Sequence, residues 1–116
     1  MDIYHIWCDL KPGQRDLEFV NHLKHYLDHL KAVARLQQYR ITRKKLGLAP
    51  AEMLEFHIWL EFDNLTDLDA AFNHVASRNG AVEGLHHAVN GRVNNIKFAL
   101  YRDFPDDVRQ EGAEQF

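Results

Sequence analysis

Residues 54–62 alternate without a break. Leu54, Phe56, Ile58, Leu60 and Phe62 are apolar, and Glu55, His57, Trp59 and Glu61 stand between them. Side chains of a strand point alternately to its two faces, so a period of two this long predicts a strand with one buried face. We place it at Met53 to Phe62. A second copy of the pattern lies near the start of the chain. Tyr4-His5-Ile6-Trp7-Cys8-Asp9-Leu10 echoes Phe56-His57-Ile58-Trp59-Leu60-Glu61-Phe62, and the same offset pairs Asn21-His22 with Asn73-His74. Two similar strand-plus-helix units are what a fold with internal pseudo-twofold symmetry produces.

The rest of the chain fits around these strands. Ile3 to Leu10 is rich in β-branched and aromatic residues and ends at Lys11-Pro12-Gly13, which predicts the first strand and a turn. Asp16 to Arg35 has helical spacing and no glycine or proline. Leu17, Val20, Leu23, Leu27, Leu30 and Ala34 form its stripe, widened by Phe19 and Tyr26. Leu36 to Lys45 reads as a half-exposed strand, and Gly47-Leu48-Ala49-Pro50 as a loop. Asn64 or Thr66 can cap a second helix that buries Leu68, Ala71, Phe72 and Val75 and stops at Asn79-Gly80. Val82 to Asn90 is a further helical piece. Val93 to Arg102 is the last strand, with Ile96, Phe98 and Leu100 on one face.

The order β-α-β-β-α-β predicts an α+β, ferredoxin-like unit: a four-stranded antiparallel sheet with its helices on one face. The first and third strands are expected to be central neighbours running parallel. We take residues 1–104 as this domain and 105–116 as a polar, acidic tail.

Composition narrows the function classes. A chain of 116 residues can bury a core without a disulfide or metal staple. Its net charge of −3 argues against a nucleic-acid partner. One cysteine, Cys8, forms no internal disulfide and is expected to be an inert buried thiol. The start Met1-Asp2-Ile3-Tyr4-His5 lacks the basic and apolar regions of a signal peptide, and no apolar run is long enough to span a bilayer. The expectation is a cytoplasmic protein with no membrane partner.

One face of the predicted sheet needs explaining. Opposite the apolar set lie His5, Trp7, Asp9, Glu55, His57, Trp59 and Glu61, joined by Lys97, Ala99 and Tyr101 of the last strand and by Gln38, Arg40 and Thr42 of the second. Tryptophans are costly to leave in water and carboxylates are costly in an apolar interior. A second sheet packed on this face with a polar-lined cavity between resolves both, so a homodimer is expected.

The element order, the length and this amphipathic outer face resemble the dimeric α/β-barrel superfamily. Tyr39-Arg40-Ile41-Thr42-Arg43-Lys44-Lys45-Leu46-Gly47 and Glu83-Gly84-Leu85-His86-His87-Ala88-Val89-Asn90 are similar to its small uncharacterised bacterial members. The resemblance covers residues 1 to about 104. It implies two ferredoxin-like chains packed sheet to sheet. Its activities are diverse, including cofactor-independent monooxygenases, lactone isomerases, haem-degrading enzymes and stress-induced proteins.

The candidate chemistry is a pocket around His5 and His57. The two rings are expected side by side, with Trp7 and Trp59 one step along and Asp9 and Glu61 next. Neutral imidazole can take or give a proton near pH 7, and a carboxylate can set its tautomer. Trp7, Trp59 and Tyr101 would wall the pocket, with Asp9, Glu61 and Arg40 as polar anchors. Three readings remain: a cofactor-independent enzyme of monooxygenase or isomerase type, a non-catalytic stress-responsive module, and a haem or metal binder, with His5 and His57 as the metal ligands or, as the resemblance implies for haem, His86 or His87 as an axial ligand. The resemblance places an asparagine on the first strand of haem-degrading relatives, and this chain has none there. We assign no cofactor and no metal, and leave open whether the protein is an enzyme. His22, His25 and His29 are expected along a solvated helix edge. Arg40, Arg43, Lys44 and Lys45 are expected as solvated charge at a strand end.

Overall fold

The structure, a computed structural model, describes residues 1–78 and 80–112. The elements run β1 (Asp2–Leu10), α1 (Asp16–Val33), β2 (Gln38–Arg43), β3 (Phe56–Phe62), α2 (Leu65–Ala76), α3 (Gly80–Asn90) and β4 (Val93–Arg102). The four strands form one sheet in the order β2-β3-β1-β4. Every neighbouring pair is antiparallel.

The central pair therefore corrects the expected parallel pairing. A crossover through α1 makes β1 parallel to β2, and the β2–β3 connection reverses the chain. β3, lying between them, must run against both. In the observed register Ile6 faces Ile58, His5 faces Trp59 and Trp7 faces His57.

Local chemistry explains the boundaries. The side chain of Asn64 accepts a hydrogen bond from Asp67 N and caps α2, and Asp67 sits in the first turn where the helix dipole favours a negative charge. α1 has no side-chain cap, but Asp16 and Glu18 lie in its first turn. β3 starts at Phe56, not at Met53, because residues 51–54 turn before the ladder begins. The expected stop at Asn79 lies outside the described residues; α2 ends at Ala76.

The core lies between the sheet and the helices. Cys8, Phe56, Ile58, Leu60 and Phe62 of the strands pack with Phe19, Leu23, Leu27 and Leu30 of α1 and Leu68 and Ala71 of α2. One residue of the α1 stripe, Leu17, departs from the expectation. Phe19 is fully buried and Leu17 is 75% exposed. Two residues along a helix turn the side chain by about 200°, so with the Phe19 ring 5.1 Å from that of Phe56 on the sheet, Leu17 points away from the core. Phe72 is also exposed, though its ring edge meets Tyr4 at 5.0 Å.

Candidate functional site

The antiparallel register gathers the aromatic residues of the outer face into one cluster. His5 and His57 are diagonal neighbours across the β1–β3 ladder, close enough for their side chains to meet. His5 Nδ1 and His57 Nε2 lie 2.8 Å apart, and Trp59 Nε1 donates to His57 Nδ1 at 2.8 Å. Trp7 stacks on His57 with ring centroids 4.4 Å apart, and the Tyr101 ring meets His5 edge-on at 4.9 Å. The Arg40 guanidinium lies 5.5 Å above the Trp59 ring.

The two carboxylates behave otherwise than expected. Antiparallel strands send Asp9 and Glu61 to opposite ends of the cluster. Asp9 accepts from Glu55 N at 2.9 Å and from Asn95 Nδ2 at 3.0 Å, and the Glu55 N–H holds its carboxyl below the usual range. Asn95 is the bulged residue of β4, with φ of 56°. Asp9 thus fastens a β-bulge to β3. It does not orient an imidazole. Glu61 faces Ile3 and Gln38 in register. Burial lowers the pKa of both histidines, and for His57 the charge of His5 adds to this.

The remaining histidines and cations do more than line a solvated edge. Arg92 approaches His22 Nε2 at 3.1 Å, and His29 Nε2 lies 3.2 Å from His74 Nε2, joining α1 to α2. His25 is exposed, as expected. Arg43 is ion-paired at 2.8 Å to both Asp16 and Glu55. Cys8 is buried, and burial pushes its thiol up to about 11, with Asp9 adding to the rise. Among the described residues, no group of three or more His, Cys, Asp or Glu is placed to hold a metal ion.

A second feature was missed by the sequence reading. Between the sheet and the helices lies a cavity of about 440 Å³. Its walls are mostly apolar, including Ile6, Leu23, Leu27, Val75 and Phe98, and its polar groups are Tyr4, Tyr26, His86 and Asn90. The Tyr26 ring lies 5.5 Å from His86, and Tyr4 stacks on Phe98 at 5.7 Å. Burial raises both phenols, and Tyr26, which also feels Tyr4, is pushed up to about 12. Among the described residues neither hydroxyl nor the His86 ring has a hydrogen-bond partner. All three residues are half-buried. The only sequence signal was a polar tip, Tyr26, inside an otherwise apolar helix stripe.

The comparisons with known proteins fit this architecture. A family model described as "Family of unknown function (DUF6614)" matches residues 1–116. The chain belongs to that family. No curated protein matches the sequence. Among solved structures, a protein from Arabidopsis thaliana, At3g17210, is 12% identical over 95% of this chain and 100% of its own, with a TM-score of 0.68. A dimeric ferredoxin-like protein of unknown function from Thermobifida fusca is 18% identical, covering 87% and 90%, with a TM-score of 0.60. SnoaB from Streptomyces nogalater, a cofactor-independent oxygenase, is 6% identical over 93% and 98%, with a TM-score of 0.64. At these identities the likeness establishes the ferredoxin-like fold. No described helix is long and apolar enough to cross a membrane.

Proposed function

We propose that this protein is a homodimer that binds a small, largely apolar molecule between its sheet and its helices. The observation that carries this reading is the set of unpartnered polar tips, Tyr4, Tyr26 and His86, around an apolar cavity of about 440 Å³. That volume lies in the usual range for small-molecule sites, and a few polar groups in apolar walls are their usual lining. A phenol held up to about 12 stays protonated at neutral pH, so Tyr26 donates a hydrogen bond to a ligand oxygen. His86 beside it can accept or return a proton. One protein of similar fold is a cofactor-independent oxygenase, which favours a reading without a bound cofactor.

The outer face is the dimer seam in this reading. Trp7, Trp59, Tyr101 and Arg40 are residue types that interface centres favour, and several neighbours of the same fold are dimeric. A second reading places the ligand in that seam, against His5 and His57. It is favoured by the histidine pair itself, whose outer nitrogen, His5 Nε2, has no partner among the described residues.

Two sets of variants separate the readings. Small phenols and aryl ketones, titrated into labelled protein and followed by NMR, are the probes. Tyr26→Phe and His86→Ala should abolish the shifts while His5→Ala and His57→Ala keep them. The reverse pattern would move the ligand to the seam, and a parent protein that shows no shifts with any probe would favour a non-catalytic dimeric module.

A further inference from the structure

Indole nitrogen only donates, and this settles the protons of the whole outer-face chain. Trp59 Nε1–H points at His57 Nδ1, so that nitrogen carries a lone pair. Neutral His57 then bears its hydrogen on Nε2 and donates it to His5 Nδ1. His5 in turn bears its hydrogen on Nε2. The chain runs one way, Trp59 to His57 to His5.

Neither ring has a free lone pair for another proton. A proton on His57 Nδ1 would face the Trp59 N–H, and a proton on His5 Nδ1 would face the His57 N–H. An isolated histidine pair differs, since one protonated ring can donate to its neutral neighbour. The surroundings offer an imidazolium little help. The charged or titratable groups on this face are Arg40 of β2 and Lys44 just after it, Lys97 and Tyr101 of β4, Glu55 just before β3 and Glu61 within it, and Asp9 of β1. Asp9 is engaged by Glu55 N and Asn95, and Glu55 by Arg43. Among the described residues no carboxylate bonds either ring.

We propose that Trp59 is a proton lock: its indole N–H holds His57 and His5 neutral in one tautomer each, and acid breaks the chain as a unit and releases the outer-face dimer. The release, though not the lock, rests on the homodimer reading above. The lock makes Trp59 a positioning residue for the pair, and it makes assembly sensitive to mild acid.

The test follows the histidine ring protons by NMR from pH 8 to pH 4.5, with sedimentation at the same points. In the parent protein both rings should stay neutral well below the ordinary histidine range, near 6.5, and then titrate together with loss of dimer. Trp59→Phe keeps an aromatic ring but frees His57 Nδ1. One proton can then be shared by the pair, and its midpoint should rise by about one pH unit, the worth of one neutral hydrogen bond. His57→Gln is the control, because its amide can accept from Trp59 and donate to His5. His5 should therefore keep its low midpoint there. Equal midpoints in Trp59→Phe and the parent, or an ordinary His5 titration in His57→Gln, would overturn the lock. A dimer that persists after both rings are charged would overturn the release. A parent already monomeric at pH 7.5 would sink the homodimer reading along with the release, and the titrations would still judge the lock.

Discussion

Ile6 of β1 and Ile58 of β3 face each other in register, and their separation of 52 positions is the same interval that separates His5 from His57. A local twofold between antiparallel strands carries each residue of β1 onto the β3 residue at that interval. The axis therefore passes between Ile6 and Ile58. It places each histidine opposite the other motif's tryptophan, so the two imidazoles meet on the diagonal.

The histidine pair gives folding a pH dependence of definite sign. Both rings have a folded pKa below the unfolded value of about 6.5, so the unfolded chain binds more protons between the two. Their contribution is complete above pH 6.5 and is lost as pH falls through the folded values. Thermal melts should show the melting temperature falling from pH 7.5 to pH 5. The double variant His5→Asn, His57→Gln should flatten that slope, and an unchanged slope would assign the acid sensitivity to other groups.

Much of this fold could be read from the chain because its strands alternate strictly. β1, β3 and β4 lie within a few residues of the expected positions, and the apolar face of β3 is buried at Phe56, Ile58, Leu60 and Phe62. Strand direction was misread, since alternation assigns faces and says nothing of polarity. That error joined Asp9 and Glu61 to the histidines, although the register sends them to opposite ends. The cavity was illegible for another reason. Tyr4, Tyr26 and His86 come from three elements, and only packing brings them together.

The α1 stripe offers a direct check of packing against pattern. Phe19 and Leu27 are fully buried, and Leu17 is largely exposed, though spacing alone put Leu17 in the stripe. Phe19→Ala should cost about 3–5 kcal/mol and Leu27→Ala about 2–5 kcal/mol in urea unfolding. Leu17→Ala should stay within about 0.5 kcal/mol of the parent. A comparable loss at Leu17 would mean that another surface covers it.

Asp2 is a buried carboxylate at the start of β1, and Arg102 at the end of β4 donates to it through Nε at 2.6 Å. Removing the cation leaves the carboxylate buried without its partner. Arg102→Met should therefore destabilise by about 1–3 kcal/mol. Asp2→Asn should cost less, since the half-exposed guanidinium can turn to water. The double variant should recover part of the Arg102→Met loss. Strict additivity of the two singles would show that the pair is not coupled.

Tyr26 separates a ligand-facing hydroxyl from a structural one by the sign of its effect on stability. A hydroxyl with a protein partner costs about 0.5–1.5 kcal/mol to remove. The Tyr26 hydroxyl has no such partner among the described residues, and its partial burial carries a desolvation cost with no hydrogen bond to offset it. Tyr26→Phe keeps the ring and its contact with His86 while removing that cost. The variant should be as stable as the parent or more stable in urea unfolding, and it should lose affinity for the phenol and ketone probes. Stability and binding would then move in opposite directions, as expected where a polar group is held unpaired for a ligand. A variant that loses about 1 kcal/mol with probe binding intact would place the hydroxyl in the structural framework instead.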